Sequence, residues 1–114
     1  MLLVPYTIFM VLEHFAIGYR SLTKYKTVDR KMGVPLAVAE ILYYSLLTLS
    51  LGNLALMIPT YLFLITHAVG GAFYIFNGRL TFSKEFFQYY SIYEFIELLF
   101  LVTILLAELW FGLP

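Results

Sequence analysis

Four runs of predominantly apolar residues, about 2–19, 33–50, 54–76 and 86–111, take up most of the chain, and their length limits what can be built from it. Crossing about 30 Å of hydrocarbon as an α-helix takes roughly 20 apolar residues, with about 17 as a lower limit. Each run meets that requirement. Lipid offers no water to exposed N–H and C=O groups, so only helices and closed barrels can span it, and the alternating segments of a membrane barrel are missing here. The expectation is an all-α fold, an integral membrane bundle of four transmembrane helices forming one domain. The alternative is three spans plus a helix lying in the interface. Composition agrees: 62% of the 114 residues are hydrophobic and 12% are charged, whereas soluble domains run at about half and about a quarter. A water-soluble fold of this size would keep large apolar patches on its surface.

The punctuation between the runs fits helices. Pro5 and Pro59 stand near the starts of the first and third runs, where proline is tolerated. Gly52 and Asn53 form a turn signal, and Asn77-Gly78 is a natural helix stop. Tyr89, Tyr90, Tyr93 and Trp110 are aromatic types favoured at the membrane interface. The start of the chain lacks a charged n-region and a small-residue cleavage site, so it is read as the first span and not as a removable signal. Arg20, Lys24, Lys26, Arg30 and Lys31 crowd the polar loop 20–32, and Arg79 and Lys84 lie in the loop 79–85. The positive-inside rule puts both basic loops on the cytoplasmic or equivalent side and both termini outside.

Several function classes drop out. Seven basic residues balance seven acidic ones, so no field draws in nucleic acid, and none is expected as a partner. With no cysteine there is no disulfide, thiolate metal site or cysteine nucleophile. No phosphate-cradling glycine loop, nucleophile elbow or zinc-protease signature occurs, and the chain is not expected to be catalytic on its own. The basic loop 20–32 could also touch anionic lipid headgroups.

Ionisable groups inside an apolar helix cost a few kcal/mol each by insertion scales and are default candidates for function or buried pairing. This chain has Glu13 and His14 in the first run, Glu40 in the second, His67 in the third, and Glu94 and Glu97 in the fourth. Counted from the cytoplasmic helix ends at 1.5 Å per residue, all of them lie roughly 7 to 17 Å deep, so they form one slab. Tyr90, Glu94, Glu97, Leu101, Ile104 and Glu108 recur at spacings of three and four, a stripe that should face protein. Thr66 and Gly70 form a small-x-x-x-small pair, with Gly71 beside it, which predicts a close helix contact next to His67.

Four readings of this cluster follow. In the plainest, the carboxylates bond to His14, His67 and nearby tyrosines and act as polar glue. In a second, His14 and His67 lie on parallel, potentially diagonal helices and clamp a haem b. The spacing His67, Gly71, Asn77 resembles the haem-bearing helix of the small anchor subunits of succinate dehydrogenase. Those anchors usually have three spans and an aspartate near the position of Asn77. A third reading, metal binding as in carboxylate-bridged di-iron bundles, lacks their Glu-x-x-His pairs, since Glu13 and His14 are adjacent and point about 100° apart. A fourth is transport. The length, the four spans and Glu13 resemble the small multidrug resistance exporters, where such a glutamate exchanges protons for a cationic drug. Phe76-Asn77-Gly78-Arg79-Leu80 is similar to the loop after their third helix, but those exporters keep their other spans almost free of charge.

The sequence as a whole reads as an accessory or anchor subunit of a larger membrane complex, of respiratory or oxidase type. Its expected partners are the lipid bilayer and other integral membrane subunits. So little chain lies outside the apolar runs that there is little room to bind a soluble substrate alone, and the dense tyrosine and phenylalanine content suits large packing surfaces.

Overall fold

The computed structural model describes residues 3–24, 30–76 and 84–111, and these form four helices with no strand among them. Helix α1 spans Val4–Lys24, α2 spans Arg30–Ser50, α3 spans Leu54–Phe76 and α4 spans Lys84–Phe111. The two shortest, at 21 residues, run about 30 Å at the standard helical rise. Asn53 caps α3: its side-chain Oδ1 accepts from the backbone N–H groups of Ala55 (2.8 Å) and Leu56 (3.3 Å), satisfying donors that the first turn leaves free.

Three boundaries differ from the sequence reading. Helix α1 continues past Tyr19 to Lys24, α2 begins at Arg30 and α4 begins at Lys84. Loop 20–32 is therefore helical on both flanks, with 25–29 outside the described residues. The extensions have local causes. Lys24 lies in the last turn of α1 and Glu85 in the first turn of α4, where each opposes the partial charge of its helix end. The Thr23 hydroxyl also donates to the Tyr19 carbonyl at 2.8 Å. Residues 77–83, with the Asn77-Gly78 stop and most of the second basic loop, lie outside the described residues.

Neighbouring helices are antiparallel. Thr7 meets Glu108 while His14 meets Glu94, and Glu40 meets His67 while Tyr44 stacks on Phe63. Helix α1 lies closest to α4, and α2 closest to α3. Longer side chains close the ring between these two pairs, leaving α1 and α3 diagonal. Glycine decides how near the paired axes come. A Cβ added at Gly18 would stand 3.2 Å from Glu94 Cβ and 3.3 Å from the Phe95 ring, and one at Gly71 would stand 3.3 Å from Ile41 Cδ1. Gly70 meets nothing within 4 Å, so the close approach expected of Thr66 and Gly70 falls on Gly71 instead, one position round the helix and facing α2.

The distribution of polarity is inverted relative to a water-soluble domain. Among the described residues Thr7, Glu13, His14, Ser21, Thr60, Ser91, Glu94, Glu97 and Glu108 are buried, while 27 large hydrophobic residues, up to Leu49 at 85% and Trp110 at 84%, are exposed. So many exposed apolar side chains would form continuous sticky surface in water. Hydroxyls on the helices find partners inside their own helix: Ser45, Ser50, Thr60 and Thr103 donate to the carbonyl four residues back at 2.7 to 2.9 Å. Such bonds let a hydroxyl face apolar surroundings without an unmet donor. By length and composition two segments, Met32–Ser50 in α2 and Leu54–Ala72 in α3, are long and apolar enough to cross a membrane. Helices α1 and α4 are long enough but do not meet the same measure, so on it the four expected spans reduce to two among the described residues.

Gly18→Leu should force α1 away from α4 and lower stability by about 1–3 kcal/mol. Gly70→Ala, with open space around it, should be neutral or stabilise by up to about 1 kcal/mol. Helix content followed by circular dichroism during denaturation in detergent separates the two.

A candidate Glu and His centre in the bundle core

The buried stripes of the helices determine which side chains can meet. Thr7, Met10, His14, Ile17, Gly18 and Ser21 are buried on α1, and Ser91, Glu94, Glu97, Leu101, Ile104 and Glu108 on α4. Both sets follow the three- and four-residue spacing of one helix face. Glu40 and Tyr44 are four apart on α2 and so share a face, opposite His67 on α3. Where these faces converge, the ionisable residues of all four helices come together.

His14 is fully buried, and it has carboxylates on both sides of its ring. Its Nδ1 is hydrogen-bonded to Glu94 Oε2, and its Nε2 lies 2.9 Å from Glu97 Oε2 and 3.9 Å from Glu40 Oε1. His67 repeats the pattern from the diagonal helix: Nδ1 lies 2.8 Å from Glu40 Oε2 and Nε2 lies 2.7 Å from Glu97 Oε2. Tyr44 donates to that same Glu97 oxygen at 2.7 Å, and its ring stacks on the His67 imidazole with centroids 5.2 Å apart. Glu97 Oε2 therefore faces three groups. Glu97 Oε1, buried, has no hydrogen-bond partner, and His14 Nε2 has none that is aligned for one, while the Glu13 carboxyl meets that of Glu40. Glu13 belongs to the cluster, because one donor atom from each of Glu13, His14 and Glu40 lies within 4.8 Å of the others.

An apolar layer of Met10, Tyr43, Leu47, Leu101 and Ile104 lies next to the centre, and beyond it is a smaller polar contact. Thr7 donates to Glu108 Oε1 at 2.7 Å. Its single hydroxyl proton is thereby used, so in the 2.8 Å contact between Thr7 and Tyr43 the tyrosine is the donor. Thr66, exposed, accepts from Tyr93 at 2.6 Å while donating to the Phe63 carbonyl, and so bridges α3 and α4.

The residues singled out by ionisability alone, Glu13, His14, Glu40, His67, Glu94 and Glu97, thus lie at one level. Sequence reasoning missed their neutral partner Tyr44, it missed Thr7 and Tyr43 beside Glu108, and it missed Gly18. Signals were available: Tyr44 follows Glu40 by one helical turn, Thr7 precedes His14 by two, and a glycine inside an otherwise helical run usually has a packing reason.

The geometry also corrects the haem expectation. His14 and His67 are diagonal as expected, but their rings are in edge contact, with centroids 5.6 Å apart, and a carboxylate oxygen stands within 2.9 Å of both Nε2 atoms. No slot for a porphyrin remains between them, and Asn77 lies outside the described residues. Nor is Glu13 the isolated carboxylate that the exporter resemblance implies, since it shares its site with His14 and Glu40.

Comparison with known proteins adds no relative: no protein-family model matches the chain, and no curated protein or solved structure matches it either. Function rests on the site itself.

Removing the Glu97 side chain strands two imidazoles, so Glu97→Ala should destabilise the bundle by about 3–5 kcal/mol. Tyr44→Phe, which deletes one bond to that carboxylate, should lose only about 1 kcal/mol. Titration of the folded protein with a denaturing detergent gives both values.

Proposed function

We propose that this chain is a four-span integral membrane protein, an accessory subunit of a larger membrane assembly, whose core holds a sealed Glu and His centre able to keep protons or cations inside the bilayer. The observation that carries this reading is the inverted polarity: acids and imidazoles from four helices point inward, while large apolar and aromatic side chains point outward. Lipid is the solvent that makes such a distribution stable. Helices α2 and α3 qualify as spans on apolarity. Helices α1 and α4 qualify once their ionisable groups neutralise one another, because the insertion penalty of a charge falls away when it is paired in the bundle interior.

In this reading the basic segments 20–32 and 79–85 lie on the cytoplasmic or equivalent side, and the Gly52 turn and both termini lie on the other. The exposed aromatic residues support partner subunits as well as lipid. Phe9, Phe15, Tyr19, Tyr61, Tyr89, Trp110 and Phe111 offer large rigid contact areas around the bundle. A compact core that four helices close off suits holding charge better than it suits admitting a soluble substrate.

The chain has no cysteine, so single cysteines can be introduced without background. In sealed right-side-out vesicles, an impermeant maleimide should label Gly52→Cys and leave Lys26→Cys unlabelled until the membrane is opened. Equal labelling of both before opening would end the four-span topology. Extraction in mild detergent should recover the chain in fixed stoichiometry with other membrane proteins, and recovery as a lone monomer would remove the accessory-subunit assignment.

A further inference from the structure

We infer that the centre is a binding site for one divalent first-row transition metal ion, held by His14 Nε2, His67 Nε2 and the Glu97 carboxylate, with Glu94 and Glu40 orienting the two imidazoles. The inference deepens the charge-holding centre proposed above and rests on it.

The first ground is convergence on a single point. Nε2 of His14 and Nε2 of His67 stand 2.9 and 2.7 Å from the same oxygen, Glu97 Oε2. Adjacent donor atoms around a six-coordinate ion with bonds of about 2.0–2.2 Å stand roughly 3 Å apart, close to what is seen. One donor atom from each of the three residues lies within 4.8 Å of the other two. Two histidines and one carboxylate are a recurrent ligand set for zinc and for non-haem iron, with further positions left open.

The second ground is what lies behind the imidazoles. Metal-bound histidines commonly donate their other ring N–H to a carboxylate, which fixes the tautomer and aims the free lone pair at the ion. Both histidines have that arrangement: His14 Nδ1 bonds Glu94, and His67 Nδ1 lies 2.8 Å from Glu40. With Nδ1 carrying the proton, each Nε2 turns a lone pair towards an oxygen that also carries lone pairs. Such a meeting is repulsive unless a proton or a metal cation sits in it.

The third ground is how hydrogen-bonding capacity is used. A carboxylate oxygen accepts about two hydrogen bonds, and Glu97 Oε2 already accepts one from Tyr44. Protonating both imidazoles would bring it to three donors while Glu97 Oε1, equally buried, has none. One ion set between the two Nε2 atoms and the Glu97 carboxylate, a bond length away from each, would satisfy both imidazoles and the carboxylate together. His14 is fully buried, and its Nε2 lacks an aligned hydrogen bond despite the short distance. Glu13 is 8% exposed, and its carboxyl meets that of Glu40.

Charge gives the fourth ground. Glu13, Glu40, Glu94 and Glu97 bring four negative charges when ionised, and among the described residues the cationic partners within ion-pair range are the two imidazoles alone. Even with both imidazoles protonated, two of the four carboxyls have to be neutralised by a proton or by a further cation, in a medium that solvates charge poorly. A divalent ion closes part of that deficit with no proton on either Nε2. The nitrogen and oxygen donors point to zinc, iron(II), cobalt(II) or manganese(II). Thiolate-bound ions are not matched, and magnesium and calcium prefer oxygen alone.

The test uses the full chain in detergent or nanodiscs, stripped with a chelator and titrated with Co2+ as the probe. One equivalent should bind per chain and give a visible ligand-field band. His67→Ala and Glu97→Gln should weaken binding at least about 100-fold, and Glu40→Gln, which removes only an orienting carboxylate, about 10- to 100-fold. Unchanged helix content by circular dichroism shows that each variant is folded. If Co2+ does not bind saturably, or binds equally well to His67→Ala and Glu97→Gln, the metal site is wrong. The infrared spectrum of the metal-free protein then separates the two proposals. A protonated-carboxyl stretch that is altered in Glu13→Gln leaves the proton-holding centre standing without the metal, whereas its absence removes both.

Discussion

Charge left uncompensated in a poorly solvating interior is too costly to persist, and four carboxylates at the middle of a narrow bundle make that the constraint on which the rest depends. Glu97 is where it is met most tightly, one oxygen shared by imidazoles from two diagonal helices and by a tyrosine from a third. The rotation of each helix about its axis follows. Helix α1 must turn Glu13 and His14 inward, α2 Glu40, α3 His67, and α4 both Glu94 and Glu97. Once those faces are assigned, the remaining faces are almost wholly apolar and have to point outward. The inverted surface is a result of satisfying the centre as much as of the composition.

The same centre holds together what backbone packing leaves apart. The bundle consists of two close pairs, α1 with α4 around Gly18 and α2 with α3 around Gly71. Between the pairs the axes lie further apart, and polar side chains bridge the gap. His67 reaches Glu97, Tyr44 reaches Glu97, Tyr43 reaches Thr7, Thr66 meets Tyr93, and the Tyr6 hydroxyl donates to the Ala39 carbonyl. Directional bonds of this kind specify register in a way that greasy contacts do not. Where lipid competes equally for apolar contacts, such bonds are among the few forces that distinguish one helix arrangement from another.

Helix number and approximate extent could be read from the sequence because long apolar runs and Asn-Gly or Gly-Asn breaks are local signals. The ionisable members of the centre could be read too: an acid or imidazole among leucines and phenylalanines stands out without knowledge of its partners. The polar ends of α1, α2 and α4 could not be read, since residues 20–24, 30–32 and 84–85 look like loop on hydropathy, although Lys, Arg and Glu are good helix formers. Tyr44 and Tyr43 were hidden by abundance, being two of ten tyrosines. The haem reading failed for a geometric reason. Placing two histidines on diagonal helices says nothing of the gap between them, and here that gap is closed by Glu97 from a neighbouring helix. Metal binding looked weak on spacing alone because the ligands come one from each of three helices and not as a repeated pair on one.

His14 and Glu94 are 80 residues apart in the chain, and Thr7 and Glu108 are 101 apart. Helix α1 is made first, yet the groups that neutralise it arrive only with α4, and contacts so distant in sequence form late and slowly. During synthesis the first helix therefore carries an unmatched acid and imidazole while α2 and α3, apolar and joined by a short turn, can settle as a hairpin. Folding is thus a waiting problem: until α4 is present the acid and imidazole of α1 lack their partners, so loss of α4 would harm the far side of the bundle most.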